Sequence, residues 1–312
     1  MYKMIYDIYF KIKRKEKKNK ETQKAPSKMI MRILGRIEWY YNIIVKKKYI
    51  KDCNSQNKKL GINTKKRKEK IIVSLTSYPK RINVVWITIE TLLQQTVKPD
   101  EVILWLADSQ FKEIEELPEE LKALQKRGLT IRFCDDLKSH KKYFYVLQEY
   151  KNDLVILTDD DMFYPKDMIE RLLKLHEKYP KDICTMTGQV ITPSFDSKPS
   201  EWRNPKSEEK FIHSDQIQIF TGSGSLYPSN SLSKEVFNKK LIKELCPYAD
   251  DLWLTFMAHR KGTKITAEFP WRAFPITIYG TGEASLYYIN AEGGQNDEQW
   301  IKLLNHFEKG QK

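Results

Sequence analysis

The 312-residue chain opens on helical spacing. Ile30, Ile33, Leu34, Ile37, Tyr40, Tyr41 and Ile44 recur at intervals of three and four, with Arg32, Arg36, Glu38 and Asn42 elsewhere on the wheel. From Ile71 the pattern changes to short apolar runs ending in polar turns. Ile71–Leu75, Val102–Leu106, Leu129–Cys134 and Leu154–Leu157 read as strands. Between them, helices are expected from about Asn83 to Gln95, from Leu117-Pro118 onward, and from about Lys141 to Tyr150. Strand alternating with helix predicts an α/β fold around a mostly parallel sheet of the nucleotide-binding kind. Residues 263–290 alternate enough for further strands, and Asn296-Asp297-Glu298-Gln299 reads as the cap of a terminal helix.

Ligands of such a sheet bind at the carboxyl ends of its strands. Those ends carry Thr76, Ser77 and Tyr78, then Asp108, then Asp135 and Asp136, then Asp159, Asp160 and Asp161. The last is the sharpest signal. Three adjacent carboxylates cannot continue a buried strand, because like charges repel and bare carboxylates resist burial. Oxygen ligands at a strand end suit a hard cation, Mn²⁺ or Mg²⁺. The plain alternative is a solvated turn with one Asp capping the helix opened by Pro165. Neither a dinucleotide fingerprint nor a phosphate-binding glycine loop follows the first strand.

Further on, Thr221-Gly222-Ser223-Gly224-Ser225 is a small-residue loop that could approach a ligand, or simply turn. Asp250-Asp251 precedes an apolar helix closed by Gly262, and one Asp is expected as its N-cap. Lys141 and Lys142 are placed to supply a cation near the strand ends, or form an ordinary basic first turn.

Charge divides the chain. Residues 1–70 hold 23 Lys+Arg against 6 Asp+Glu, a net +17, and the rest holds 32 against 35, a net −3. Basicity therefore belongs to the first segment, which argues against nucleic acid as partner of the folded body. Lys11–Lys20 is a lysine-rich run, and residues 51–70 read as a polar linker. The amphipathic stripe, with Trp39 and Lys46–Lys48 beside it, suits a helix lying on an anionic bilayer surface. Its alternative is packing on the body or another subunit. The division expected is a basic arm and linker over 1–70 and a catalytic domain over 71–312, with halves 71–165 and 166–312. Four cysteines without paired spacing point to neither a disulfide framework nor zinc, and fit a reducing cytosol. With no spanning segment or signal peptide expected, the predicted location is cytoplasmic, peripheral on the inner face of the membrane.

Three stretches together resemble a GT-A nucleotide-sugar glycosyltransferase, especially the family-2-like bacterial enzymes of capsule and lipopolysaccharide synthesis. They are Ser74-Leu75-Thr76-Ser77-Tyr78-Pro79-Lys80-Arg81, Asp159-Asp160-Asp161 with Tyr164-Pro165, and Asp250-Asp251-Leu252-Trp253. The resemblance implies that the triplet, as a DxD motif, holds a divalent cation and the donor's ribose or diphosphate. It implies donor contacts from Thr76, Ser77, Tyr78, Arg81, Asp108, Asp136, Lys142, Gly222 and Gly224. It also implies that the acidic pair supplies the base of inverting transfer, Asp251 first and Asp250 beside it. The expected donor is a nucleotide-sugar, UDP-linked, and the acceptor a glycan or lipid-linked sugar. Two rival readings remain: a nucleotidyl- or phosphotransferase on a similar sheet, and a basic adaptor that binds membrane or nucleic acid through its arm alone.

Overall fold

The computed structural model describes residues 8, 9, 12, 28–53, 59–202, 212–270, 275–281 and 294–309. Lys11–Lys20 (except Ile12) and the expected strand positions 271–274 and 282–290 lie outside them. The chain begins with α1 (Lys28–Trp39) and α2 (Lys46–Cys53), joined by a π-helical turn, Tyr40–Val45. Then follow β1 (Ile71–Thr76), α3 (Val85–Leu93), β2 (Glu101–Ala107), α4 (Glu119–Ala123) and β3 (Leu129–Cys134). Two short helices, α5 (Lys141–Phe144) and α6 (Val146–Glu149), lead to β4 (Leu154–Leu157). The second half contains β5 (Met162–Phe163), α7 (Met168–Lys178), β6 (Ile183–Val190), β7 (Ile212–Ser214), β8 (Ile217–Ile219) and β9 (Ser225–Tyr227). It closes with α8 (Lys239–Leu245), α9 (Asp250–Lys261), β10 (Ile265–Pro270), β11 (Ile276–Thr277) and α10 (Gln295–Leu304).

Among the described residues, nine strands form one sheet in the order β3-β2-β1-β4-β9-β6-β10-β7, with β8 paired to β6. The four strands β3, β2, β1 and β4 run parallel. β9 enters antiparallel between β4 and β6, and β10 lies parallel to β6. This is the mostly parallel α/β sheet that the alternation of patterns predicts. After β1 the chain moves outward to β2 and β3, and β4 returns to β1's other edge. Such a reversal opens a crevice between the carboxyl ends of β1 and β4.

Side chains alternate across β1, so the sheet has two apolar faces. Ile71, Val73 and Leu75 join one core with α3, α4 and α7. Ile72 joins the other, with Val155, Leu157, Trp253 and Trp300. The first core also takes in Leu34, Tyr41, Val45 and Tyr49 from the amino-terminal helices, with Ile30, Ile37 and Tyr40 packed against it. The amphipathic stripe thus faces the body, which was the alternative to a bilayer. Met29, Met31, Trp39, Ile44 and Ile50 are left exposed.

Residues 59–70, read as a linker, are pinned to the body. Asn63 Nδ2 lies 2.6 Å from Asp100 Oδ1, Arg67 Nη1 3.1 Å from Asp100 Oδ2, and Gly61 N donates to Arg127 O. The terminal helix also differs in its start. Gly294, at φ 73°, occupies the cap position, and Gln299 uses its amide on Tyr248 N and Gln295 O instead of capping.

Candidate active site

The site is built on the β1–β4 crevice. From Ile71 to Leu75, β1 is apolar except for Ser74, which is wholly buried. Its Oγ donates to Lys142 O at 2.5 Å and accepts from Trp105 Nε1 at 3.1 Å. A lone hydroxyl in a buried strand thereby fixes the backbone of α5 where Lys142 leaves it. The turn after β1 then folds back, with Arg81 N on Tyr78 O at 2.9 Å. This brings Ser77 and Arg81 across the crevice to the triplet that ends β4.

The three aspartates have different surroundings. Both oxygens of Asp160 are engaged, Oδ1 by Arg81 Nη1 at 2.7 Å and Oδ2 by Ser77 Oγ at 2.6 Å. Asp161 receives Arg81 Nη2 at 3.1 Å on Oδ2, while its buried Oδ1 has no hydrogen-bond partner among the described residues. Asp159 is half-exposed and accepts Lys142 Nζ at 2.6 Å. Burial, then the neighbouring carboxylates, push the Asp161 carboxyl up to about 7 in spite of Arg81.

Lys142 joins this triplet to the distant acidic pair. Its Nζ lies 2.8 Å from Asp250 Oδ2 as well. The side chain is only 4% exposed, so it is no solvated first-turn lysine. Burial disfavours its charge, yet Asp159, Asp250 and Asp251 hold its pKa well above the ordinary lysine value. Lys141 points elsewhere, 2.8 Å from Asp136.

Neither aspartate of the pair is the expected N-cap. Ala249 occupies that position without a side-chain bond, and Asp250 and Asp251 are the first two residues of α9. Both are recruited by the site instead. Burial works against the charge of Asp250, but Lys142 and then His140 keep its carboxyl below the ordinary range. Asp251 accepts from Thr221 N at 3.0 Å and from Thr221 Oγ1. Burial and the Asp250 charge push it up to about 7.

A second bond network joins the triplet to the small-residue loop. Tyr164 Oη accepts from Asp159 N at 2.8 Å and donates to Gly222 O at 2.9 Å. A Cβ on Gly222 would stand 2.2 Å from Asp159 Oδ2, so only glycine lets this loop lie against the triplet. Gly224 has a structural role: at φ 99°, it packs on Met168. Thr76 gives its hydroxyl to Trp105 O at 2.8 Å, and Asp136 is bonded to Lys138 N, Lys141 and Gln110. Asp108 is exposed, and Tyr78 lies beside Arg81, 5.7 Å from guanidinium carbon to ring centre.

Five carboxylates therefore meet two cations, Arg81 and Lys142, in one crevice. The donor set is oxygen alone, with one buried carboxylate oxygen unpartnered. That fits a hard divalent cation, which takes one or two carboxylates and completes its shell with water and phosphate oxygens. No group of three or more His, Cys, Asp or Glu among the described residues is arranged to hold a metal by itself.

A parallel sheet with an acidic, phosphate-compatible crevice at its reversal point defines a nucleotide-binding α/β enzyme of the GT-A type. The chain belongs to glycosyl transferase family 2, whose match spans residues 71–236, more than half of its length. The matched segment contains the triplet, Lys142 and the Gly222 loop, and ends before the acidic pair. Among solved structures, a CMP:2-keto-3-deoxy-manno-octonic acid synthetase complexed with CTP superposes with a TM-score of 0.42 and 13% identity. That alignment covers 73% of this chain and 99% of the other. No curated protein matches the chain.

Proposed function

We propose that this glycosyltransferase moves a sugar, with inversion, from a UDP-linked donor to a glycan or lipid-linked acceptor in surface polysaccharide synthesis. The observation carrying this reading is Lys142, which binds one carboxylate of the triplet and one of the acidic pair. Donor side and base side are thereby held as one site, although about ninety residues separate them in sequence. Asp161 and Asp159 would hold Mn²⁺ or Mg²⁺, with Asp160 keeping Arg81 in place. The bound cation would neutralise charge on the leaving diphosphate. Arg81 and Lys142 add positive charge on the same side. Asp251 takes the acceptor hydroxyl's proton, its raised pKa giving it more basicity than an ordinary carboxylate. Asp250 stays charged beside Lys142 and keeps it aimed at the crevice. Residues 71–165 bind donor nucleotide, and 166–312 bring base and acceptor.

The amino-terminal helices suit an anionic membrane surface on their outer side. Met31 and Trp39 are exposed there among Lys28, Arg32 and Arg36, and Lys47, Lys48 and Lys51 continue the basic surface. No helix of the described residues is long and apolar enough to cross a membrane.

A panel of nucleotide-sugars with Mn²⁺, with and without chelator, tests the reaction. Hydrolysis or transfer that disappears with chelator supports the proposal. Release of pyrophosphate instead of nucleoside diphosphate would favour the nucleotidyltransferase rival, and full activity in excess chelator would remove the cation from the account.

A further inference from the structure

The helical wheel places Asn42 on the polar side, yet it is 4% exposed. The cause is the π-helical turn Tyr40–Val45, which adds residues to each turn and rotates the following positions relative to an α-helix. Asn42 is swung inward and meets the backbone of a segment more than two hundred residues away. Its Nδ2 donates to Thr277 O at 3.1 Å and to Glu38 O at 3.0 Å, and its Oδ1 accepts from Tyr279 N at 2.7 Å. One side-chain amide thus satisfies both a donor and an acceptor of a short irregular stretch.

That stretch borders the site. β11 pairs antiparallel with β5, the strand that follows the triplet, Ile276 opposite Phe163 and Thr277 opposite Met162. Ile278 N donates to Asp161 O at 2.8 Å. Thr281 O accepts from Arg81 Nη2 at 3.1 Å, the same nitrogen that reaches Asp161 Oδ2. Thr281 Oγ1 in turn donates to Ile278 O at 2.7 Å, stiffening the turn between the two contacts. Tyr41, the neighbour of Asn42, packs edge-on against Phe163 with ring centres 5.6 Å apart.

We infer that Asn42 is a positioning residue for the donor side of the site. It holds residues 276–281 in the one arrangement that presents the Thr281 carbonyl to Arg81 and the Ile278 amide to Asp161. Arg81 has few alternatives among the described residues: its Nε is buried there without a partner, and its Nη groups are shared between two carboxylates and this carbonyl. If residues 276–281 shift, Arg81 loses its only described carbonyl partner, and the orientation of Asp160 and Asp161 changes with it. The amino-terminal helices are in this way a part of the active-site wall, reached through hydrogen bonds from Asn42 to residues 277 and 279 and from residues 278 and 281 to the site, rather than through packing alone.

The test uses the full chain and compares Asn42→Ala with Asn42→Asp. The aspartate keeps an acceptor for Tyr279 N and loses the donor to Thr277 O. Hydrogen exchange is followed at the Ile278 and Tyr279 amides, with β1 and β4 amides as reference. Losing a bond of this kind is expected to speed local exchange about tenfold in the alanine variant. The Tyr279 amide should stay protected in the aspartate variant, and the β1 and β4 amides in both. The transfer assay of the preceding section reads the consequence and rests on that reading, whereas exchange does not. Sugar transfer per folded molecule should fall about tenfold in the alanine variant and recover in part in the aspartate variant. A merely structural role would lower thermal stability and leave the rate per folded molecule unchanged. That outcome, or unaltered exchange at Ile278 and Tyr279, overturns the inference.

Discussion

The Lys142 ammonium lies 2.8 Å from Asp250 Oδ2, inside the protein and on an element far from α9 in sequence. Replacing Lys142 with Met leaves Asp250, itself 7% exposed, as a buried charge without its cation. Breaking a buried pair from one side typically costs about 3–5 kcal/mol. We therefore expect a large fall in melting temperature, together with a loss of transfer on the order of 10²–10³-fold from the missing positive charge. Thermal unfolding beside rate measurements checks both. A Lys142→Met protein that is stable and active would mean that Asp250 finds another partner.

Gly222→Ala separates close approach from flexibility. The new Cβ would stand 2.2 Å from Asp159 Oδ2 and 2.9 Å from its Cγ, so either the loop or the carboxylate must move. We expect a folded protein with transfer reduced by about a hundredfold, the scale on which small displacements of catalytic groups act. Wild-type kinetics in this variant would show that the loop yields without cost and that Asp159 does not depend on it.

Two carboxylates with raised pKa make pH a probe. Asp161 and Asp251 both lie at about 7 in the folded chain, against an ordinary value of 3.8. Between those values the folded state binds more protons than the unfolded one, so stability falls as pH rises from about 4 to 7. Melting temperature should decline across that window, less steeply than these two groups alone would give, because burial lowers His140 to about 4 and that group adds stability as pH rises over much of the same range. Added Mn²⁺ should raise it more at pH 8 than at pH 5.5, because a cation binds the ionised form. The rate constant kcat/KM should fall about tenfold per unit below pH 7 as Asp251 is protonated. A flat melting profile without metal would contradict the burial of these charges.

Four parallel strands, the polar groups at their carboxyl ends and the triplet are readable from the chain, because each rests on local signals: four apolar runs, the turns after them, and three adjacent aspartates. The order of the strands in the sheet and the antiparallel entry of β9 between β4 and β6 rest on long-range pairing and carry no such local signal. Lys142 was singled out from its place between β3 and β4. What tied it in was less visible. Ser74 stood in the motif with no role, and its signal was a hydroxyl inside an apolar strand. Tyr164 likewise followed the triplet without explanation until its contact with Gly222 O was seen. The N-cap expected of the acidic pair failed because tertiary partners, Lys142 and Thr221, competed for both side chains. Asn42 was placed on the wrong side because a regular helical wheel has no π-turn in it.

The amino-terminal helices have two faces with different expected phenotypes. Deleting residues 1–53 uncovers the surface that Leu34, Tyr41, Val45 and Tyr49 bury, each contributing about 1.5–3 kcal/mol. That truncation should be much less stable and prone to aggregate, in contrast to the freely detachable arm that the charge pattern suggests. Reversing Arg32 and Arg36 to Glu on the outer face should leave melting unchanged. It should weaken sedimentation with vesicles containing anionic lipid, since each basic residue near such a surface contributes about 1 kcal/mol. Equal sedimentation of the reversed variant would place the membrane contact elsewhere or remove it.

Asp251 is the residue we propose as the base of sugar transfer. Asp251→Asn keeps the size of the side chain and an oxygen to accept from Thr221 N, but gives up a carboxylate's capacity to take a proton. Transfer to acceptor and affinity for the nucleoside diphosphate are measured side by side in the wild type and this variant. The expected result is a rate lower by about 10²–10⁴-fold with nucleotide affinity nearly unchanged. A rate near that of the wild type would contradict it, and would reduce Asp251 to an anchor for the Thr221 loop.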